Sequence, residues 1–341
     1  MLIAGDIGGT KTDLGIYSIE AGPHAPLAQT EVKSADYPSL QAMVREFLAR
    51  AKVSVTTACF DVAGPVIDGS VKTTNLPWVM DERSLARELN LRSVRLINDL
   101  EAVARSVPTL RPQDLVTLNE GKAVERGSIA IIAPGTGLGE SYLVWDGGQY
   151  RAHGSEGGHS DFAPTDARQI GLLEYLLGRF DHVGFERVCS GIGVPNIYDY
   201  LREKENLPES PAVAAKIAAA KDRTRAILDA AADPHESSER CRATVEILIT
   251  ILGSEAGNLA LKVLATGGVY VAGGIAVHLL GPLREPRFLE AFTRKGRFKD
   301  VMARMPIHVI TTRAALLGAA AYGLESLRKA NAGPQPERMS S

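Results

Sequence analysis

Three short glycine-rich segments each follow an apolar stretch of the chain. They are Gly5-Asp6-Ile7-Gly8-Gly9-Thr10, Gly135-Thr136-Gly137 and Gly273-Gly274. Glycine lets a backbone approach a ligand closely, so consecutive N–H groups can converge on phosphate oxygens. One such segment is most often a simple turn, but three in one chain favour phosphate binding. Their spacing matches neither a Walker A loop nor a dinucleotide-binding G-x-G-x-x-G motif, which disfavours those two modes.

Asp6 places a carboxylate inside the first of these segments. A carboxylate beside a phosphate repels it unless a divalent cation lies between the two groups. We therefore expect a metal ion that arrives with the phosphate and that Asp6 contacts through a water molecule. The sequence assigns no residue as a direct metal ligand.

Asn98 and Asp99 follow a predicted strand at residues 94–97 and precede a predicted helix that starts near Glu101. Open α/β sheets bind ligands beyond the carboxyl ends of their strands. A carboxylate there can act as the general base that accepts a proton from a hydroxyl during phosphoryl transfer. Asp is also among the best helix N-cap residues, so a purely structural cap remains an alternative for Asp99.

A compact polar loop contains Glu156 and His159, which are separated by two glycines. Such a loop can bind the hydroxyl groups of a polyol, or it can be a solvated turn. A metal site would need further ligands, and the sequence shows no second His or Cys at a suitable spacing. Glu186 can add another acceptor, although an isolated glutamate is more often a solvated helix residue.

Alternating strand and helix patterns place these segments at strand ends. We predict strands at 2–6, 12–18, 53–62, 66–73, 94–97, 128–133 and 141–145, and helices at 81–89, 166–180, 213–232, 243–265 and 314–329. A further helix begins after Ser39, and Ser39 and Asp81 are suited to be N-caps. The order strand, glycine turn, strand occurs twice, which indicates internal duplication. Pro108 and Pro112 mark a domain boundary.

Composition narrows the class of protein. The 341 residues suggest two domains, and 38 basic against 40 acidic residues provide no basic excess for binding nucleic acid. The 3 cysteines are too few and too scattered for a disulfide framework or a zinc site. We see no apolar run of the roughly 18 residues that a spanning helix needs. No basic region precedes the first strand, so we expect no signal peptide and a cytoplasmic protein.

Taken together, the motifs resemble those of the bacterial glucokinase family, within the hexokinase, actin and sugar-kinase superfamily. Besides the first glycine-rich segment, they are Leu96-Ile97-Asn98-Asp99-Leu100-Glu101-Ala102, Gly135-Thr136-Gly137-Leu138-Gly139, Glu156-Gly157-Gly158-His159 and Glu186-Arg187-Val188. The resemblance covers residues 2 to 320, nearly the whole chain. It implies an α/β, two-domain actin-like ATPase (ribonuclease H-like) fold with a ligand cleft between the domains. We assign residues 1–110 and 314–333 to a small domain, 111–313 to a large domain and 334–341 to a frayed tail.

The resemblance also implies the reaction, which is ATP-dependent phosphorylation of D-glucose at O6, the first step of glycolysis. Asp99 would be the catalytic base. The sugar would be held by Asn75, Asn98, Asp99, Glu156, His159 and Glu186. The nucleotide would be held by Gly5, Asp6, Ile7, Gly8, Gly9, Thr10, Gly135, Thr136, Gly137, Gly273 and Gly274, with the last two near the adenosine. Mg²⁺ would accompany ATP, and the protein would be a homodimer.

Some residues depart from the family pattern. Lys11 stands where many close relatives carry Asn, and the residues before Gly64-Pro65 differ. The Cys-x-Cys-Gly-x-x-Gly-Cys zinc motif of the broader repressor and kinase group is missing, so we expect no structural zinc. Another hexose or an N-acetylhexosamine as substrate, polyphosphate as donor, and a sugar-independent actin-like ATPase remain alternatives. A sugar-sensing repressor is disfavoured, because the first strand begins at Leu2 and leaves no room for a DNA-reading module.

Overall fold

The strands form one larger sheet in each of two units of the chain. A computed structural model describes residues 1–73, 76–235 and 238–331. One unit comprises Met1–Arg111 and the segment that begins at Thr312, and the other comprises Pro112–Thr311. The strands, in chain order, are β1 (Leu2–Ile7), β2 (Lys11–Tyr17), β3 (Ala28–Lys33), β4 (Thr57–Val62), β5 (Ser70–Lys72), β6 (Val79–Asp81), β7 (Ser93–Asn98), β8 (Leu115–Asn119), β9 (Ile129–Pro134), β10 (Leu138–Trp145), β11 (Tyr150–Ser155), β12 (Gly268–Val271) and β13 (Ile307–Ile310).

Helices flank these strands. In chain order they are α1 (Leu40–Ala51), α2 (Glu82–Glu88), α3 (Asp99–Ser106), α4 (Ala167–Leu177), α5 (Gly193–Glu203), α6 (Pro211–Ala219), α7 (Arg223–Ala232), α8 (Glu239–Val263), α9 (Gly274–His278), α10 (Leu280–Leu283), α11 (Pro286–Thr293), α12 (Lys299–Ala303) and α13 (Ala314–Asn331). Single 3₁₀ turns connect several of them.

The sheet of the first unit has the strand order β3-β2-β1-β4-β7. β1 is antiparallel to β2 and parallel to β4, and β4 is parallel to β7. The register pairs Asp6 with Asp61 and Val62 with Asn98. Because β1, β4 and β7 are parallel, their carboxyl ends meet at one edge of the sheet. The first glycine turn, Asp61 and Asn98 therefore lie along that edge.

Helix caps and apolar spacing fix α1 and α2 of this unit as the sequence predicts. The Ser39 side chain accepts the N–H of Ala42 and starts α1, and Asp81 accepts the N–H of Ser84 and starts α2. The helices α13 and α3 pack against each other so closely that a Cβ at Gly318 would overlap a carbonyl of α3. The helix α13 thus covers β1 and β4 closely, and α3 contacts β4.

The second unit repeats the arrangement. Its sheet has the order β11-β10-β9-β12-β13-β8, with β10 antiparallel to β9 and β12 parallel to both β9 and β13. A glycine-rich turn joins β9 to β10, as one joins β1 to β2. The shared order of an antiparallel meander followed by parallel strands agrees with the predicted internal duplication.

The helix α8 contradicts our expectation that no segment is long and apolar enough to cross a membrane. Glu239–Val263 has 25 residues and, by length and composition, is apolar enough to cross a membrane. However, 78% of its most apolar stretch is buried inside the protein, where α8 packs against α5, α7 and α11. Burial on nearly all sides requires an apolar helix, so α8 is explained as the core helix of its unit.

Several predicted helices have different bounds in the structure, such as 166–180, which is Ala167–Leu177, and 243–265, which is Glu239–Val263. The predicted helix 213–232 is interrupted, and Asp222 accepts the N–H of Arg225 to start α7 as a separate helix. α3 begins at Asp99 rather than near Glu101. The predicted strands 53–62 and 66–73 are shorter, and the sequence reading did not identify β3, β8, α5 or β13. β3 and β8 are short and only partly buried, so they carry little apolar periodicity, which explains why they were missed.

Candidate active site

The first glycine turn, residues 8–10, joins β1 to β2. A Cβ at Gly8 would come within 2.5 Å of the Lys11 carbonyl oxygen, so a close backbone approach requires glycine here. The buried residue Ser34 stabilises this turn with two hydrogen bonds. Its hydroxyl donates to the Gly8 carbonyl (2.6 Å), and its N–H donates to the Thr10 carbonyl (3.1 Å). Sequence reasoning missed Ser34, because an isolated serine has no motif spacing to reveal it.

Asp6 lies beside Asp61, a buried carboxyl group that the sequence reading did not assign to the site. Asp61 is 0% exposed, and its oxygens accept no hydrogen bond from the described residues. Burial, with Asp6 and Asp99 nearby, raises the pKa of Asp61 well above its usual value. Burial also raises the pKa of Asp6 to about 6, although a hydrogen bond from Asp61 partly offsets this. Two carboxyl groups so close in a buried place favour sharing one proton over carrying two negative charges.

Asn98 and Asp99 have distinct roles at the start of α3. Asn98 is the N-cap, because its Oδ1 accepts the N–H groups of Leu100 (2.9 Å) and Glu101 (3.3 Å). Its Nδ2 donates to the Gly64 carbonyl (3.1 Å). The alternative that Asp99 is merely the N-cap was therefore wrong.

Asp99 itself is the first residue of α3 and is half-buried. Its Oδ1 also accepts the Leu100 N–H at 2.9 Å. The helix N-terminus favours a negative charge at this position. Asn75, which we predicted to border the sugar, lies outside the described residues.

In the second unit, Glu186 lies against the second glycine turn. Its Oε2 accepts the N–H of Leu138 at 3.1 Å, and a Cβ at Gly137 would overlap that oxygen. Glu186 is half-buried in the 3₁₀ turn Phe185–Arg187, so the interpretation as a solvated helix residue was wrong. The carbonyls of Gly135 and Thr136 accept N–H groups from residues 191 and 192, which fixes the turn from its other side.

We call residues 156–159 the polar loop. This loop follows β11 and presents Glu156 and His159 to solvent, with side chains 83% and 62% exposed. Their Oε2 and Nε2 atoms are 4.0 Å apart. A Cβ at Gly158 would overlap the Leu138 carbonyl oxygen, so the loop lies directly on β10. Among the described residues, no group of three His, Cys, Asp or Glu side chains could hold a metal ion.

A cavity of about 970 Å³ in the second unit brings Gly135, Thr136 and Gly274 together. Gly273 precedes α9 with φ +89°, and a Cβ there would lie 2.5 Å from the Pro134 carbonyl oxygen, so its conformation requires glycine. Gly137 and Gly273 are not among the residues that line the cavity.

Basic side chains line the same cavity, and sequence reasoning missed them. They are Arg187, Lys221, Arg223 and Arg225. Arg223 forms a bidentate pair with Asp199 (2.8 and 3.1 Å), and Arg225 pairs with Asp229 (2.9 Å). Lys221 lies in the break between α6 and α7, and Arg223 and Arg225 lie in the first turn of α7; our prediction of one continuous helix concealed this break. Positive charge around backbone turns suits a polyanionic ligand.

Solved structures share this architecture. A glucokinase from an Antarctic psychrotroph superposes with a TM-score of 0.82 at 30% identity, covering 95% of this chain and 98% of that one. A ROK family glucokinase from Streptomyces griseus, solved with glucose and AMPPNP, shares the fold at 20% identity and a TM-score of 0.65, over 95% of this chain and 99% of that one. The fold is thus the two-domain actin-like fold of sugar kinases, as the sequence predicts.

The family follows from sequence similarity. The Glucokinase family model matches residues 3–326. A glucokinase from a Nostoc species is 40% identical over 335 residues, which cover 94% of this chain and 98% of the relative. The chain belongs to the glucokinase family, which confirms the resemblance found in its motifs.

Proposed function

We propose that this chain is a glucokinase that transfers the γ-phosphoryl group of ATP to O6 of D-glucose. The observation that carries the proposal is Asp99, a half-buried carboxylate at the first residue of α3, in a chain that matches glucokinases over nearly its whole length. A carboxylate so placed can accept a proton, and the helix N-terminus stabilises its ionised form.

Asp99 is the general base of the proposed mechanism. It takes the proton of the 6-hydroxyl as O6 bonds to the γ-phosphorus, and the bond from that phosphorus to the bridging oxygen of ADP breaks. Phosphoryl transfer needs positioning and charge neutralisation rather than covalent catalysis by the protein. Backbone N–H groups of the turns at Gly8–Thr10 and Gly135–Gly137 supply part of that neutralisation.

The sugar is held by Asn75, Asn98, Glu156, His159 and Glu186 in this proposal. The exposure of Glu156 and His159 supports it, because both side chains can reach a ligand. The hydrogen bond from Leu138 orients the Glu186 carboxylate. Polar groups directed at individual hydroxyls discriminate strongly against sugars that lack one of them.

The donor is ATP, with its adenosine near Gly273 and Gly274. The basic side chains that line the cavity support a donor with a negatively charged triphosphate, such as ATP. The Streptomyces griseus relative was solved with AMPPNP. Mg²⁺ carried by ATP would neutralise charge on the phosphates. Asp6 fits this ion, because carboxylate oxygens suit Mg²⁺ and burial, which raises the pKa of Asp6 to about 6, still leaves it ionised at neutral pH. Asp6 would contact it through water.

One coupled assay tests the reaction, its sugar and its donor together. Glucose, other hexoses and N-acetylhexosamines are each combined with ATP and with polyphosphate, and the phosphorylated sugar and ADP are measured. We expect glucose with ATP to have the highest kcat/KM. Preference for an N-acetylhexosamine or for polyphosphate would replace the proposal with that alternative. ATP turnover independent of any sugar would favour an actin-like ATPase.

The proposal extends to the cellular setting. Formation of glucose 6-phosphate is the first step of glycolysis, and we propose that the enzyme acts in that pathway, in the cytoplasm. We also propose a homodimer, and sedimentation equilibrium of the full chain tests it, since a monomer mass at micromolar concentration would contradict it.

A further inference from the structure

Two glutamate side chains are buried together in the second unit. Glu140 on β10 is 1% exposed and Glu255 on α8 is 0% exposed. The two buried carboxyl groups act on each other, since the charge of Glu255 and a hydrogen bond with it raise the pKa of Glu140 beyond the effect of burial. Within the described part of the chain, no group donates a hydrogen bond to Oε1 of either glutamate. Two carboxylates in contact cannot both be ionised without a donor between them, so the pair must share one proton.

The surroundings indicate which residue carries the proton. Asn258 donates to Oε2 of Glu255 (2.8 Å), Lys262 Nζ lies 3.7 Å from its Oε1, and Lys295 donates to Asn258 (2.6 Å). Burial raises the pKa of both glutamates, and the neighbouring Glu255 raises that of Glu140 further. Burial, with both glutamates nearby, raises the pKa of the Cys189 thiol, so this neighbour adds no charge to the pair. The negative charge therefore belongs to Glu255 and the proton to Glu140.

Glu140 also contacts the polar loop. A Cβ at Gly157 would overlap Oε2 of Glu140, so this carboxyl group lies directly against the loop backbone. Glu140 is paired in register with Ser155, whose hydroxyl accepts the Gly157 N–H at 3.0 Å. An ionised Glu140 would need hydration, which the backbone of the loop in its present position excludes.

We propose that Glu140 is a positioning residue, and that the proton it shares with Glu255 holds the polar loop in its glucose-binding arrangement. This inference rests on the proposed function. Loss of the proton displaces the loop and weakens glucose binding, while the donor site in the basic cavity is left in place. Because binding and protonation are linked, glucose binding must in turn favour the protonated pair.

The pH dependence of KM tests this role. Wild type, E140Q and E246Q are assayed from about pH 6.5 to about pH 9.5. The amide introduced in E140Q keeps a donor toward Glu255 and cannot ionise. We expect KM for glucose to rise about tenfold in wild type toward alkaline pH and to stay nearly flat in E140Q, with little change in KM for ATP. Glu246, a partly exposed α8 residue paired with Arg287, is the matched control, and E246Q should follow wild type.

An alkaline rise in E140Q equal to that of wild type would overturn the proposal, as would a flat wild-type profile. E255Q provides a second variant, since it removes the neighbouring negative charge that raises the pKa of Glu140. We expect the alkaline rise in KM for glucose to begin at a lower pH in E255Q than in wild type, and a rise at the same or a higher pH would contradict the role of the proton.

An infrared readout separates this inference from the proposed function. The C=O band of a protonated carboxyl group should be present near neutral pH and reduced in E140Q, and D61N identifies the band of Asp61. Equal bands in wild type and E140Q would refute the shared proton whatever the substrate is. If the band is reduced in E140Q as expected but the wild-type protein phosphorylates no glucose, the proposed function is refuted instead.

Discussion

At the scale of single residues, the proposed mechanism depends most on Asp99. We expect D99N to fold normally, because Asn can still accept the Leu100 N–H, and to lower kcat by about 10²–10⁴-fold through loss of the base. Steady-state kinetics with a glucose-binding measurement checks this. E101Q is the matched control, since Glu101 lies on the same helix and pairs with Arg105. A D99N enzyme with nearly full turnover would remove Asp99 from the mechanism.

Asn98 combines a structural role with a proposed binding role. Because it caps α3 and donates to Gly64, N98A should lower the free energy of unfolding by about 0.5–2 kcal/mol and also raise KM for glucose. Urea unfolding and sugar kinetics measure the two effects. S39A removes the cap of α1 at comparable cost and should leave KM unchanged. Equal kinetics in both variants would limit Asn98 to capping.

Residues within motifs were predictable from the sequence, and isolated residues were not. Asn98 and Asp99 stand after an apolar strand, where their types already suggest chemistry. Asp61, Ser34 and Glu140 carry no such signal, because each gains its role from a partner far away in the chain. Asp61 was visible only as a departure from the family pattern before Gly64-Pro65.

At the scale of elements, the register of β1 and β4 creates a pH dependence of stability. Asp61 has a raised pKa in the folded state, so the stability it contributes is present at low pH and is lost as pH rises through that folded value. The stability that Asp6 contributes is likewise lost as the pH rises from about 4 to about 6. In D61N the donor to Asp6 remains but cannot ionise. We expect D61N to be more stable than wild type above neutral pH, by urea unfolding at several pH values.

The control for this prediction is D300N, which alters an exposed aspartate of α12. D300N should follow the wild-type pH dependence. Parallel stability curves for D61N and wild type would show that Asp61 does not titrate in this range, and would remove its hydrogen bond to Asp6 from the description of the site.

Elements with strong caps and apolar spacing were predictable, as α1 and α2 show. The division of residues 213–232 into α6 and α7 was not, since apolar residues continue across the break and only the cap at Asp222 reveals it. The sequence predicted that the polar loop can bind a polyol, but it did not predict the conformation of the loop. Its glycines are required by contact with Leu138 and Glu140 of β10, which only the paired strands bring beneath them.

At the scale of the whole molecule, the repeated sheet order places a glycine turn between the first two strands of each meander. The strand–turn–strand repeat in the sequence was enough to predict this duplicated arrangement. The similarity to the glucokinase family predicted the fold of the rest of the chain. The basic cavity was not foreseen, because its cations come from separate segments of the second unit. Net charge of -2 for the chain conceals such local accumulation.

The basic cavity predicts how the donor is bound. Lys221 is exposed, lines the cavity and forms no ion pair with the described residues, whereas Arg223 and Arg225 are engaged by aspartates. K221A should therefore raise KM for ATP by roughly tenfold, the loss expected for one charge-assisted hydrogen bond, with KM for glucose nearly unchanged. K204A, at the end of α5, is the surface control. If K221A changed glucose binding instead, the cavity would have to be assigned to the sugar, and the donor would need another site.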